Sequence, residues 1–170
     1  MIRKHAVWLC LLSFWLSVLC FAGRDAWCLS EHYEKSLKEQ LLFIIRKHPK
    51  YLRGGANDLE RGLDCSGYVY LAAKWAGIPG ISRTTSFRMS QGFGGWSGRD
   101  IKLSNAEECD LLFWTFSKNQ PFGHVGAMLR GAQGRKQAAH ASPRLGVVLR
   151  PLKGSLAQNL SKVRRLTIGE

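Results

Sequence analysis

Residues 63–70 read Leu-Asp-Cys-Ser-Gly-Tyr-Val-Tyr, a polar step that leads into a run of aromatic and small apolar residues. Asp64 and Ser66 suit the start of a helix, because a side-chain oxygen there accepts a backbone N–H that has no partner inside the helix. The pattern predicts a helix from Cys65 to about Gly77. A thiol in the first turn lies at the positive end of the helix dipole, which favours the thiolate. The alternative is a small buried residue without a chemical role.

The composition is that of one globular domain with a strong excess of positive charge. The chain has 170 residues, with 25 Lys and Arg against 12 Asp and Glu, and a formal net charge of +13. Such a charge favours an anionic partner, which could be nucleic acid, a membrane surface or an acidic wall polymer. The basic residues are scattered and form no block interleaved with aromatic residues. We therefore predict no nucleic-acid partner, and a generally basic, solvated surface is the simpler interpretation.

The N-terminus has the pattern of an export signal. Arg3, Lys4 and His5 precede an apolar run over residues 6–22, as a basic n-region precedes an h-region. The prediction is a signal peptide over residues 1–22, followed by one domain over residues 23–170. An uncleaved anchor helix and a lipid-modified cysteine in this segment are the alternatives. In every case the domain is exported to the periplasm, the cell envelope or the medium, and only an uncleaved anchor would contact a membrane.

The cysteines that follow the predicted signal are odd in number. They are Cys28, Cys65 and Cys109, so at least one thiol of an exported chain is unpaired. A disulfide between Cys28 and Cys109 would leave Cys65 free, but the sequence alone does not establish that pairing.

The order of the predicted elements indicates an α+β fold. Helical patterns cover residues 30–48 and 65–77, a short helix is expected within residues 82–91, and residues 92–104 are expected to form an irregular glycine-rich loop. Strand patterns follow at residues 111–116, 124–129, 137–141, 146–151 and 163–168. Helices first and short strands later predict an antiparallel sheet covered by N-terminal helices.

Two histidines lie on the arms of one predicted hairpin. A turn centred on Ala132 with an odd-length loop places His124 and His140 directly opposite each other on one face of the sheet. A loop of even length would send them to opposite faces. With Cys65 they would then form a nucleophile, a base and an orienting group. The alternatives are two structural histidines, or a zinc site, which would lack the usual closely spaced ligand pairs.

Three blocks of sequence resemble the signature of the NlpC-type cell-wall peptidases. They are Asp-Cys-Ser-Gly-Tyr-Val at residues 64–69, Gly-His-Val-Gly at 123–126 and His-Ala-Ser at 140–142. Residues 51–55, residues 82–85 with 91–92, and residues 110–113 are similar to further segments of that family, and all blocks occur in the family's order. The similarity extends from about residue 35 to 168.

The resemblance implies a papain-like α+β fold, in which N-terminal helices pack on a mostly antiparallel sheet of five to six strands. It implies a monomeric cysteine peptidase without a cofactor or a metal. The implied substrates are peptidoglycan stem peptides, cleaved next to a γ-D-glutamyl residue and a diamino acid. An amidase or acyl transferase of the same fold, and a catalytically silent wall-binding protein, are the alternatives.

The resemblance also implies roles for six residues of this sequence. By position these are Cys65 as nucleophile, His124 as base, His140 as the group that orients it, and Tyr51, Ser66 and Arg83 as substrate contacts. Two departures stand close to the matched blocks: Arg53 occupies the place of an aromatic residue, and Cys109 occupies the place of a glycine. Because neither falls on the three signature blocks, we expect the shape of the substrate, rather than activity itself, to be affected.

Overall fold

The structure, a computed structural model, describes residues 29–167. Its helices and strands are α1 (Glu31–Lys47), α2 (Cys65–Trp75), α3 (Ser86–Ser90), β1 (Gly98–Ile101), β2 (Leu111–Trp114), β3 (His124–Arg130), β4 (Lys136–Ser142), β5 (Gly146–Pro151), α4 (Ser155–Gln158) and β6 (Leu160–Leu166). The predicted signal over residues 1–22 and the cysteine at position 28 lie outside the described residues. Within residues 29–167 no helix is both long and apolar enough to cross a membrane.

Six strands form one sheet in the order β1-β6-β2-β3-β4-β5. Every neighbouring pair in this order is antiparallel. The predicted α+β class and antiparallel sheet are therefore confirmed. The histidine-bearing strands β3 and β4 lie inside the sheet, so both strands have hydrogen-bonded neighbours on each side.

Helix α1 confirms the amphipathic pattern of residues 30–48. Its buried side chains are Leu37, Leu41 and Ile44, spaced so that they share one face. The first turn carries acidic residues and the last turn carries basic residues, which matches the helix dipole at both ends. His48 in the left-handed conformation then ends the helix, one residue before Pro49.

Helix α2 is buried along most of its length, and its first turn is held by an N-cap and by contact with the preceding loop. The side chain of Asp64 accepts the N–H of Gly67 at 2.6 Å, as expected of an N-cap residue. A Cβ on Gly67 would overlap the carbonyl oxygen of Gly55, so only glycine allows this turn of the helix to contact the preceding loop. The loop and the helix start therefore form one rigid support for Cys65.

The sheet is covered on both faces. Helix α2 packs on α1 and on strands β3 and β4, and the side chains of Leu111, Phe113 and Val125 face this main core. A smaller apolar cluster on the other face contains Leu112 and Trp114. The alternation along β2 explains this division, since successive strand residues point to opposite faces.

Strand β1 corrects the expectation of an irregular loop over residues 92–104. Gly98–Ile101 pairs with β6 at the edge of the sheet, with Gly98 opposite Leu166. The sequence Gly-Arg-Asp-Ile has no apolar alternation, so its pattern did not indicate a strand. Its pairing depends instead on a partner far along the chain, and Asp100 forms ion pairs with Lys162 and Arg164 of β6.

The hairpin of β3 and β4 has a different register from the predicted one. Arg130 pairs with Lys136, which leaves an odd loop of five residues, and His140 lies opposite Gly126. The expectation that both histidines share one face is confirmed, but direct opposition is wrong because the two histidines are diagonal neighbours. The turn is centred on Gln133, whose left-handed backbone (φ 62°) shifts the register relative to a turn centred on Ala132.

Candidate active site

A cleft of about 520 Å³ lies over the start of α2. It is lined by residues from four segments of the chain, namely Tyr51, Arg53, Gly54, Asp64, Cys65, Ser66, Arg83, Thr85, Ser86, Gln120 and Gly123. Four of the six residues singled out by the sequence therefore line one cavity. The other two, His124 and His140, are buried on the sheet and do not line this cleft.

The Cys65 thiol is almost buried and faces backbone N–H groups. Only 7% of the residue is exposed. Burial raises the pKa of the thiol above its usual value, while the N–H groups of Val125 and Ser66 act in the opposite direction. The pKa of the thiol is therefore higher than the helix start alone would make it. The helix start does favour the thiolate, but loss of hydration outweighs it.

The two imidazoles form a hydrogen-bonded pair. Nε2 of His124 lies 2.9 Å from Nδ1 of His140, and the ring planes are nearly perpendicular at 86°. This contact occupies one nitrogen of each ring. It leaves Nδ1 of His124 as the nitrogen that can exchange a proton with another group.

Both imidazoles are held neutral. Burial lowers the pKa of His124, and the neighbouring His140 lowers it further. Burial also lowers the pKa of His140, with an additional effect from the positive charge of Arg150. Arg150 lies on β5 opposite Ala138, on the same face of the sheet as His140. The site at neutral pH therefore combines a protonated thiol with uncharged bases.

Two aromatic side chains enclose the ring of His124. The ring centroid of Trp114 lies 5.4 Å from that of His124 and 6.0 Å from that of His140. The ring of Phe116 lies 5.7 Å from His124. Trp114 pairs directly with His124 across the sheet, which fixes the contact. Sequence analysis did not assign a role to these aromatic residues, although Trp114 lies on a strand predicted from the sequence.

Gly126 makes room for the histidine pair. A Cβ at this position would lie 2.9 Å from the Cβ of His140, 3.2 Å from the Trp114 ring, and within 2.5 Å of the carbonyl oxygen of Ala139. The side chain of His140 therefore passes over a residue without a side chain to reach His124. This space compensates for the diagonal register of the hairpin.

The thiol meets the histidine strand through its backbone. The peptide unit between His124 and Val125 directs its N–H at Cys65, so the sulfur lies against the peptide that carries the His124 side chain. Among residues 29–167, no hydrogen bond joins the Cys65 sulfur to either imidazole. Hydrogen bonds of this kind commonly tighten only when substrate binds.

Asp64 connects three segments at the cleft. One carboxylate oxygen accepts the hydroxyl of Ser66 at 2.9 Å, as well as the N–H of Gly67. The other accepts the N–H of Gly54 at 2.9 Å and the guanidinium of Arg83 at 2.7 Å. Sequence analysis identified Asp64 only as a helix cap, because its contact with Arg83 joins residues 19 positions apart.

The predicted substrate contacts Ser66 and Arg83 are both committed to this network. Arg83 donates to the Ser66 hydroxyl at 2.7 Å and to the carbonyl of Thr84. The Arg83 side chain is still 29% exposed, whereas Ser66 is buried. Tyr51 lines the cleft from the side of Leu63, with which it forms a parallel bridge. Burial, followed by the nearby Cys65 and Asp64, raises the pKa of the Tyr51 phenol.

The described residues contain no group of three or more His, Cys, Asp or Glu side chains arranged to hold a metal ion. Cys65 and Cys109 are both free thiols in this part of the chain.

Comparison with known proteins identifies the fold through structure and not through sequence. No protein-family model matches the chain, and no curated protein matches it. An NLP/P60 family protein from Staphylococcus aureus, described as similar to a lipoprotein, aligns with a TM-score of 0.64 at 20% identity over 87% of this chain and 45% of its own. The peptidoglycan hydrolase RipB from Mycobacterium tuberculosis aligns with a TM-score of 0.54 at 20% identity over 84% of this chain and 70% of its own. NlpC2 from Trichomonas vaginalis aligns with a TM-score of 0.56 at 20% identity over 79% of this chain and 47% of its own.

These alignments show that the chain has the papain-like α+β fold of these NlpC/P60 proteins, which is the fold that the resemblance in the sequence implied. The chain spans less than half the length of the Staphylococcus aureus and Trichomonas vaginalis proteins.

Proposed function

We propose that this protein is a cysteine peptidase that hydrolyses stem-peptide bonds of peptidoglycan. The observations that carry the proposal are the His124–His140 hydrogen bond of 2.9 Å and a thiol, at the start of a buried helix, that accepts the N–H of Val125, the residue after His124. A nucleophile, a base and a group that orients the base are the components of covalent amide hydrolysis. The NlpC/P60 fold, which this chain shares with a peptidoglycan hydrolase, supports the choice of substrate.

The proposed reaction begins with a proton transfer from Cys65 to His124. Because Nε2 of His124 is engaged with His140, Nδ1 accepts the thiol proton. The sulfur then attacks the carbonyl carbon of the scissile bond. The imidazolium returns its proton to the leaving amine, and water subsequently hydrolyses the thioester. Because the thiol and both imidazoles are neutral at rest, the thiolate forms only during the reaction, when His124 takes the proton of Cys65.

The helix start supplies a donor for the negative charge that develops on the carbonyl oxygen. N–H groups in the first turn of a helix have no acceptor within the helix. The N–H of Gly67 is already used by Asp64 and that of Ser66 is directed at the thiol, which leaves the N–H of Cys65. Such a fixed donor stabilises an oxyanion without reorganisation. Tyr51 lines the same cleft, and we propose that it contacts the bound peptide close to the thiol.

His140 acts on His124 and not on the substrate in this scheme. The Nδ1 atom of a neutral His140 accepts the hydrogen carried by Nε2 of His124, before and after His124 is protonated. The positive charge of Arg150 lowers the pKa of His140, in addition to the larger effect of burial, so His140 stays neutral when His124 gains its proton. Loss of the pair would leave the His124 ring in the wrong tautomer or orientation.

We propose D,L-endopeptidase specificity, with cleavage between a γ-D-glutamyl residue and a diamino acid. We further propose that residues 1–22 direct export of a domain over residues 23–170. The domain would then act in the periplasm or the cell envelope, where peptidoglycan is found. The basic residues of the chain, with a net charge of +13, would favour residence near an anionic wall.

Incubation of the purified full chain with isolated stem peptides tests this proposal. The wild type is expected to release the amino-terminal dipeptide, and Cys65→Ala is expected to reduce the rate at least about 1000-fold, because removal of the nucleophile leaves only binding effects. Cys109→Ser is the matched control, since it removes another buried thiol outside the cleft. Circular dichroism and thermal unfolding show whether the variants are folded.

Product masses distinguish the alternatives. Products of a different mass would indicate an amidase or acyl transferase. Equal release by the wild type and Cys65→Ala would overturn the cysteine-peptidase proposal. No release by the folded wild type would also overturn it and would favour a wall-binding protein.

A further inference from the structure

The two arginines of the cleft have different surroundings. The guanidinium of Arg83 forms an ion pair with Asp64 at 2.7 Å and also donates to Ser66. Arg53 lines the same cleft and is exposed. Within residues 29–167, Arg53 has no ion-pair or hydrogen-bond partner for its guanidinium. One cation of the cleft is therefore neutralised and the other is available.

Arg53 also lines a second cavity next to the cleft over Cys65. This second cavity, of about 430 Å³, is enclosed by the turn over residues 52–62. Arg53 and Gly54 line both this cavity and the cleft over Cys65. Gly54 adopts a left-handed backbone with φ of 81°, which turns the chain sharply after Arg53. Arg53 therefore borders both the space over the thiol and the adjacent cavity.

The charged side chains that line the cleft carry a net positive charge. Its charged lining residues are Arg53, Asp64 and Arg83. Because Asp64 and Arg83 compensate each other, the cleft retains one positive charge, that of Arg53. This charge affects the pKa of the neighbouring Tyr51 phenol. Burial raises that pKa, Cys65 and Asp64 raise it further, and Arg53 lowers it. The guanidinium is thus within electrostatic reach of a group beside the thiol.

We propose that Arg53 is a specificity-determining residue that binds a carboxylate of the substrate. A guanidinium can donate two parallel hydrogen bonds to a carboxylate, which an aromatic side chain cannot do. This inference rests on the proposed function for the identity of the peptide, and it names the chemical feature that the cleft selects. The charge of Arg83 is already compensated by Asp64, so Arg53 carries the uncompensated positive charge of the cleft.

Binding to the Cys65→Ala chain, measured by calorimetry, tests the inference independently of turnover. The probes are L-alanyl-γ-D-glutamyl-diamino acid peptides in which each carboxylate is free or is amidated in turn. With Arg53 present, amidation of one carboxylate is expected to weaken binding about 10–100-fold, the range of a charge-assisted contact. In Cys65→Ala/Arg53→Gln the free and amidated peptides are expected to bind alike, and Arg53→Lys is expected to restore part of the difference.

The matched control is Arg144→Gln, which removes an exposed arginine from the turn between β4 and β5. It is expected to preserve the preference for the free carboxylate. An unchanged preference in Arg53→Gln, or no preference at all with Arg53 present, would overturn the inference. Because binding is measured without cleavage, this result is separate from failure of the peptidase proposal, which would appear as no cleavage by the wild type.

Discussion

The two thiols of the described chain are alike in burial and different in surroundings. Cys65 is 7% exposed and Cys109 is 4% exposed, and both are free. Burial is the largest effect on both, and it raises both pKa values. Cys65 begins a helix that packs on the histidine strand, whereas Cys109 lies just before β2 and contacts α1 through Glu34.

Acidic neighbours distinguish the Cys109 thiol. Burial, followed by the charges of Glu34, Glu108 and Asp110, raises its pKa to about 12. Its sulfur lies 3.4 Å from the carbonyl oxygen of Glu34, to which the thiol donates. For Cys65 the largest effect after burial is instead the N–H of Val125, which favours the thiolate, and Asp64 is the one acidic group that opposes it. The comparison shows that burial alone does not make a thiol chemically active, because the polar groups around it decide whether the sulfur can carry charge.

The comparison predicts a large difference in alkylation rate. With iodoacetamide at pH 8, Cys65 of the folded chain is expected to react at least about tenfold faster than Cys109, because each unit of pKa changes the thiolate fraction about tenfold. Mass analysis of tryptic peptides measures each cysteine separately. In guanidinium chloride the two rates should converge. Equal rates in the folded chain would show that the N–H groups around Cys65 do not distinguish it.

A substitution at Gly126 would test the contribution of the histidine pair to activity without altering either thiol. Gly126→Ala places a Cβ against Ala139 and His140, and we expect a loss of about 1–3 kcal/mol in unfolding free energy through overpacking. We also expect peptide hydrolysis to fall about tenfold or more, because the histidine pair must move apart. Urea unfolding and steady-state kinetics measure the two effects.

Gly131→Ala is the matched control on the same hairpin. The three atoms nearest to its added Cβ all belong to the side-chain amide of Gln137, which can move. Stability and activity close to those of the wild type are expected for this variant. Equal losses in both variants would show that the effect at Gly126 is not specific to the histidine pair.

The smallest expected effect concerns the charge beside His140. Burial and then Arg150 lower the pKa of this imidazole, so Arg150→Gln should raise it. Activity requires a neutral pair, and the acid limb of kcat/KM should therefore lie below pH 6.5 in the wild type and move to higher pH in the variant, by less than about one unit. Arg144→Gln should leave the limb unchanged. A shift to lower pH would contradict the assigned effect of Arg150.

Local patterns predicted much of this fold. Helix α1 followed from its apolar stripe, α2 from Asp64 and the apolar run after it, and five strands from short apolar segments. These features depend on neighbours close in sequence, which is why they could be recognised. The shared face of His124 and His140 was also predicted, since it depends only on an odd loop length.

The remaining features depend on contacts between distant segments. Edge strand β1 pairs with β6 across about 65 residues of chain, and its polar sequence gave no sign of that partner. The hairpin register depended on the backbone of Gln133, and the network of Asp64 with Arg83 required tertiary contact. The raised pKa of Cys65 was not predicted, because the helix start was visible in the sequence and the depth of burial was not.

The hairpin that carries the two imidazoles has a consequence for folding. His124 and His140 are 16 positions apart, so closing their loop costs little chain entropy and can occur early. Cys65 reaches them only when α2 docks on the sheet, through contacts of much longer range. A chain in the course of folding thus assembles its bases before it gains its nucleophile, and recovery of thiol reactivity during refolding would report the docking of α2.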